Sequence, residues 1–159
     1  MNIGFPPVCG PDPAFLILGS FPSVRSRAEG FYYGHPQNRF WRVLAALYDE
    51  PLPASVQEKR ALLLSHRIAL WDAAASCEAE GSADASLRRV VPNDVAGLMQ
   101  EHGIVRVYCN GRTAEQLYRR FILPGSGVEP AVLPSTSPAN AAWGLERLIE
   151  AWRVILGEK

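Results

Sequence analysis

The residues best suited to chemistry lie between positions 19 and 41. Gly19, Ser20, Phe21, Pro22 and Ser23 come first, then Tyr32, Tyr33, Gly34, His35, Pro36, Gln37, Asn38, Arg39, Phe40 and Trp41. Asn38 can orient a water through its side-chain oxygen while donating from its amide nitrogen. It is equally suited to capping a helix that begins at Arg39. Tyr33 can stack on a flat ligand, a contact that contributes ~1–3 kcal/mol for a nucleobase; half-buried loop packing is its other reading. His35 can act as a general acid or base, or can simply shape a turn between Gly34 and Pro36. Four arginines and one glutamate fall within 20–48, a local excess that suits either a phosphate-facing rim or a solvated face.

Further along, Asp72 follows Leu70 and Trp71 at a strand end. Its carboxylate can accept N–H bonds from a ligand or cap a turn. Ser135, Thr136, Ser137, Pro138, Ala139 and Asn140 can hold a phosphate on backbone amides. Ser137 followed by Pro138 also reads as an ordinary helix N-terminus. There is no phosphate-binding glycine loop, no dinucleotide fingerprint and no nucleophile elbow. Cys9, Cys77 and Cys109 are isolated, with no partner spacing for zinc, a disulfide or an iron–sulfur cluster. No metal or cofactor is expected.

Alternating strands and helices must position these groups. Residues 14–19 form an apolar run ending in glycine, expected as a buried parallel strand. A long connection spans 20–39, and loops of that length are usually functional. A helix is expected from 39 to 48, with Phe40, Leu44, Leu47 and Tyr48 on one face. Ser55 and Glu58 form a capping box for a second helix. Strands are expected at 68–73, 105–109 and 131–133. Residues 76–92 read as a loop, with a turn at 81–84. Helices are expected at 94–102, stopped by Gly103, and at 113–121. A turn covers 124–127, a compact loop 135–139, and a last helix runs through Leu156. Together these predict an α/β protein, a three-layer α/β/α sandwich with a central four-stranded, mainly parallel sheet. In such sheets ligands bind beyond the carboxyl ends of the strands. Gly19, Asp72, Asn110 and Ser135 all fall there.

Bulk properties bound the reading. The 159 residues suit one domain over 1–159. Sixteen basic and sixteen acidic residues cancel, which excludes a histone-like binder but not a basic face. Glycine and proline, 13 each, exceed the usual share and predict shaped loops. No apolar run approaches a membrane span. The first residues lack a basic leader and an apolar signal core, so a cytoplasmic protein is expected, nucleoid-associated if it acts on DNA.

The two segments 19–41 and 135–141 together resemble motifs one and two of the uracil-DNA glycosylase superfamily. They are most similar to its sixth family, the hypoxanthine-DNA (deoxyinosine) glycosylases. The run His35, Pro36, Asn38, Arg39, Phe40 and Trp41 also resembles the mismatch-specific members. The resemblance implies an enzyme that flips a deaminated base from DNA and hydrolyses its N-glycosidic bond, acting as a monomer. It implies a catalytic role for Asn38. Gly19, Ser20, Phe21, Tyr33, Asp72 and Asn110 would bind the base. Ser23, His35, Ser135, Thr136 and Ser137 would meet the DNA backbone.

The sequence departs from relatives at three places. Phe21 stands where they carry Asp or Asn. Ser135 stands where uracil-removing relatives often carry a histidine that stabilises the leaving anion. Ala139 and Asn140 replace a bulky apolar wedge. The only lysines, Lys59 and Lys159, fall away from these segments. Because a lyase step needs an amine, a monofunctional enzyme is expected. The alternatives are a uracil- or mismatch-specific glycosylase, a non-catalytic nucleic-acid-binding domain, and a small-molecule hydrolase or transferase.

Overall fold

A computed structural model describes residues 2–22, 24–78 and 88–157. Its elements, in chain order, begin with β1 (Asn2–Ile3), β2 (Phe15–Gly19), α1 (Val24–Glu29), α2 (Phe40–Leu47), α3 (Val56–Ser65) and β3 (Ile68–Asp72). They continue with β4 (Ala74–Glu78), β5 (Arg88–Pro92), α4 (Val95–His102), β6 (Val107–Asn110) and α5 (Arg112–Leu117). A π-helical turn over Tyr118–Ile122 leads into α6 (Leu123–Ser126), followed by β7 (Ala131–Leu133) and α7 (Leu145–Trp152).

The main sheet has the order β3-β2-β6-β7, and every neighbouring pair is parallel. Alternation along β2 explains why helices must cover both faces. Phe15 and Ile17 pack with Phe40, Leu44, Leu63, Leu148 and Trp152 of α2, α3 and α7. Leu16 and Leu18 pack with Val95, Met99, Ala114, Tyr118 and Ile122 of the opposite layer. Successive strand side chains point to opposite faces, so a strand apolar at every position must lie between two layers. The expected three-layer sandwich is the fold observed.

Local signals act as read. Ser55 Oγ accepts the Glu58 N–H at 3.1 Å, and Glu58 Oε1 reaches back to the Ala54 N–H at 2.7 Å. Gly103, with φ of +66°, ends α4 in the left-handed region that glycine tolerates best.

Three expectations are corrected. The loop expected over 76–92 contains β4 and β5, which pair antiparallel and with β1 form a second, three-stranded sheet. The small and polar residues of β4 hid a strand whose pairing is tertiary rather than intrinsic; the turn expected at 81–84 lies outside the described residues. The connection 20–39 contains α1 rather than loop alone. The turn expected from residue 124 is a helical continuation through Ser126, closed by Gly127 at φ of +69°.

Candidate active site

The carboxyl ends of β2, β3 and β6 carry Gly19, Asp72 and Asn110, with Gly19 in register with Asp72. Above them lies a cavity of about 490 Å³. Its walls come from 19–22 after β2, from 26–38 before α2, from Asp72 and Asn110, and from 135–139 after β7.

Gly19 is required by close approach rather than by its own dihedrals. A Cβ there would collide with Asp72 Oδ1 and lie 2.7 Å from the Tyr33 hydroxyl. The missing side chain lets the carboxylate and the phenol converge over the strand end. Asp72 is only 3% exposed, and Asn93 Nδ2 donates to its main-chain carbonyl at 2.8 Å. Tyr33 has φ of +54°, a conformation uncommon outside glycine and asparagine. Its ring stacks on Phe40 with centroids 4.2 Å apart. Tyr32 also lines the cavity, and its hydroxyl donates to the Pro6 carbonyl at 2.7 Å. Burial, reinforced by Asp72 and Tyr33, pushes the Tyr32 phenol well above its ordinary range, so it stays a donor.

Asn38 precedes α2 and faces the cavity. Its Oδ1 accepts the Phe40 N–H at 2.9 Å, which bears out the capping reading while the residue lines the cavity. The carboxamide caps the first turn, and its orientation is fixed by doing so. A carbonyl oxygen has a second lone pair, and the amide nitrogen has two protons. His35 Nδ1 accepts the Gln37 N–H at 3.0 Å, which leaves Nε2 to carry the ring proton. Phe21 lines the wall, with the Arg27 guanidinium 5.4 Å from its ring centroid.

The 135–144 segment is not the helix start that Ser137 and Pro138 suggested; α7 begins only at Leu145. Ser135 Oγ accepts the Ser137 N–H, and Ser137 Oγ accepts the Ala139 N–H, each at 3.1 Å. Asn110 holds Thr136 twice: Oδ1 accepts its N–H and Nδ2 donates to its Oγ1, both at 3.1 Å. Thr136 is fully buried, so any influence it has on a ligand is through the loop. Gly111, with φ of +96°, lets the chain turn beneath Ser135.

Of the residues selected from sequence, Gly19, Ser20, Phe21, Tyr33, His35, Asn38, Asp72, Asn110, Ser135, Thr136 and Ser137 all line this one cavity. Ser23 lies outside the described residues. Ser26 was not singled out, and Pro22 and Arg39 were named in the 19–41 run without a site role of their own. Ser26 Oγ accepts the Gly34 N–H at 3.0 Å and so braces the turn that carries Tyr33. Arg39 was grouped with a possible phosphate rim; its guanidinium instead bonds the carbonyls of Thr136, Ser137, Asn140 and Trp143. Its position directly after Asn38 was the available signal.

Among the described residues no group of three His, Cys, Asp or Glu side chains is arranged to hold a metal, and no helix is long and apolar enough to cross a membrane. Burial, with Glu115 nearby, pushes the Cys109 thiol up to about 12, which makes it inert as a nucleophile at neutral pH.

The profile of the Uracil DNA glycosylase superfamily matches residues 6–156. A protein from Methanosarcina acetivorans named hypoxanthine DNA glycosylase is 38% identical over 154 residues, 96% of each chain. A protein of the same name from Methanosarcina barkeri is 34% identical over 139 residues, 86% of this chain and 87% of the other. A solution structure from Methanosarcina acetivorans, provisionally described as a uracil DNA glycosylase, superposes with a TM-score of 0.82 at 35% identity. It covers 96% of this chain and 94% of its own.

Proposed function

The chain belongs to the uracil DNA glycosylase superfamily, and from that premise we propose that it excises hypoxanthine from DNA as a monofunctional glycosylase. The observation that carries this reading is the convergence of Asn38, Tyr33 and Asp72 on one cavity at the strand ends. The two relatives named for hypoxanthine support the choice of base.

Each group has a task that follows from its chemistry. Reaching the glycosidic bond requires the nucleotide to leave the stack and enter a fitted pocket. Tyr33, backed by Phe40, offers a stiff aromatic platform for the base. Asp72, when ionised, can only accept hydrogen bonds. Hypoxanthine presents an N–H at N1, whereas adenine presents a lone pair there. A carboxylate at that edge therefore favours the deaminated base and repels its parent. Asn38 orients a water toward C1′ of the sugar.

In the reaction the C1′–N9 bond breaks, and its electron pair leaves with the purine. The sugar carbon passes through a cation-like state and is taken by the water oxygen. The water proton passes to solvent and the purine gains a proton, giving free hypoxanthine and an abasic site. A carboxamide is a weak base, but a cationic centre needs a positioned water more than a deprotonated one. In this reading the enzyme acts on DNA as a monomer in the cytoplasm.

Uracil is the second reading, because its N3–H would also meet Asp72. Ser135, in place of an imidazole, counts against it. The test is a set of oligonucleotides carrying hypoxanthine, uracil, xanthine or adenine, followed by alkaline cleavage at abasic sites. Strand breaks at hypoxanthine, absent with adenine, are expected. Cleavage of uracil alone would replace this reading with the second.

A further inference from the structure

Arg39 follows Asn38 in sequence but, unlike it, is not part of the cavity lining. Its Nε approaches the Thr136 carbonyl at 3.4 Å, and Nη2 reaches those of Ser137 at 2.9 Å and Asn140 at 3.2 Å. Nη1 donates to Trp143, and the Arg39 backbone N–H donates to Thr136 at 3.1 Å. No carboxylate pairs with it among the described residues. One cation thus gathers four carbonyls from a loop that has neither helix nor strand until Leu145.

That arrangement has a geometric corollary. In a trans peptide the carbonyl and the following N–H point in opposite directions. Drawing in the carbonyls of Asn140 and Trp143 turns the N–H groups of Ala141 and Gly144 away from the guanidinium. Both residues are exposed. While the N–H groups of Thr136, Ser137 and Ala139 are bonded within the protein, those of Ala141 and Gly144 are turned outward, the polarity that suits a phosphate backbone. A lysine could not substitute: its three donors share one atom, whereas the guanidinium presents a planar fork of five.

We infer that Arg39 is a positioning residue that holds the 135–144 loop in its DNA-gripping shape and ties that grip to the water-orienting Asn38 next to it. This rests on the glycosylase reading for its purpose, though not for the hold itself.

The test uses the full chain with Arg39→Lys and Arg39→Ala, and with Arg67→Lys, at the far end of β3, as a control for losing an exposed arginine. Three quantities are read: amide hydrogen exchange across 135–144 without DNA, affinity for a duplex carrying non-hydrolysable 2′-fluoro-deoxyinosine, and the single-turnover rate at saturating deoxyinosine duplex. For Arg39→Lys, faster exchange confined to 135–144 is expected. Affinity should fall about tenfold or more while the saturated rate changes far less, the pattern of lost uniform binding. Millimolar guanidinium, but not equal sodium chloride, should restore binding by Arg39→Ala.

Wild-type exchange and affinity in Arg39→Lys would overturn the inference. So would a loss carried entirely by the saturated rate and not rescued by guanidinium. If the wild-type protein left hypoxanthine uncut, the glycosylase reading would fail, while loop exchange and its guanidinium rescue would still decide whether Arg39 holds the loop.

Discussion

Asn38 Oδ1 accepts the Phe40 N–H at 2.9 Å, so the side chain that faces the cavity is tethered to the first turn of α2. Its two roles can be separated by substitution. Asn38→Ala should cost about 1 kcal/mol of stability, as cap removal does, and lower kcat on deoxyinosine on the order of 100-fold, as loss of a positioned reactant does. Asn38→Ser keeps a capping oxygen but is too short to orient a water. Urea denaturation should find it close to wild type, and a cleavage assay should find it as slow as the alanine variant.

Gly19→Ala would drive a methyl group between Asp72 and Tyr33. Neither group is at the end of a long flexible chain, so the strand end itself must shift. A loss of ~1–3 kcal/mol is expected, the usual result of overpacking, with excision falling on the order of 100-fold. Thermal melts and single-turnover cleavage on the same preparation would measure both.

Thr136→Val preserves shape but removes the partner of Asn110 Nδ2. An unsatisfied buried donor costs ~1–3 kcal/mol. The denaturation midpoint should fall accordingly. Asn110→Ala with Thr136→Val should be less than additive, because the two residues share one interaction. A double-mutant cycle in urea would expose additivity if it existed.

Stability should fall in alkali. Burial holds the Tyr48 phenol up at about 12 from an ordinary 10.0, and the Cys109 thiol up at about 12 from 9.0. The folded state therefore binds these protons more tightly than the unfolded chain. Their contribution is complete below pH 9 and is lost as the pH rises toward 12. Burial raises Tyr32 and Tyr118 in the same direction. Phenolate absorbance at 295 nm should lag behind that of the urea-unfolded chain over this interval, and the urea midpoint should decline from pH 9 to 11.

No Schiff base should be trapped. Lys59 lies on α3 with its ammonium 5.5 Å from the Trp41 ring, outside the cavity. Borohydride added during turnover should yield free abasic product and no protein–DNA adduct on a denaturing gel.

The central sheet was legible because its strands are apolar without interruption and end at Gly19, Asp72 and Asn110, punctuation that survives in one dimension. The cap at Ser55 and the stop at Gly103 were legible because they depend on neighbours in sequence. β4 and β5 were not, since what makes Ala74 and Ser76 strand residues is pairing with β1 and β5. Asn38 and Tyr33 stood out by type and company, but the stacking of Tyr33 on Phe40 depends on a left-handed backbone that no residue type announces. Arg39 escaped for the same reason: its partners are backbone carbonyls about a hundred positions away, and carbonyls leave no trace in a sequence.

The parallel order of the sheet leaves the two ends of the molecule with different tolerances. The loops that line the cavity emerge from the carboxyl ends. The amino ends carry turns such as the one where Arg67 bonds Asp12, whose side chain is 83% exposed. A dye or surface tether at Asp12 would therefore sit on the far side of the sheet from approaching DNA. That gives single-molecule work a fixed orientation in which to time the extrusion of one nucleotide.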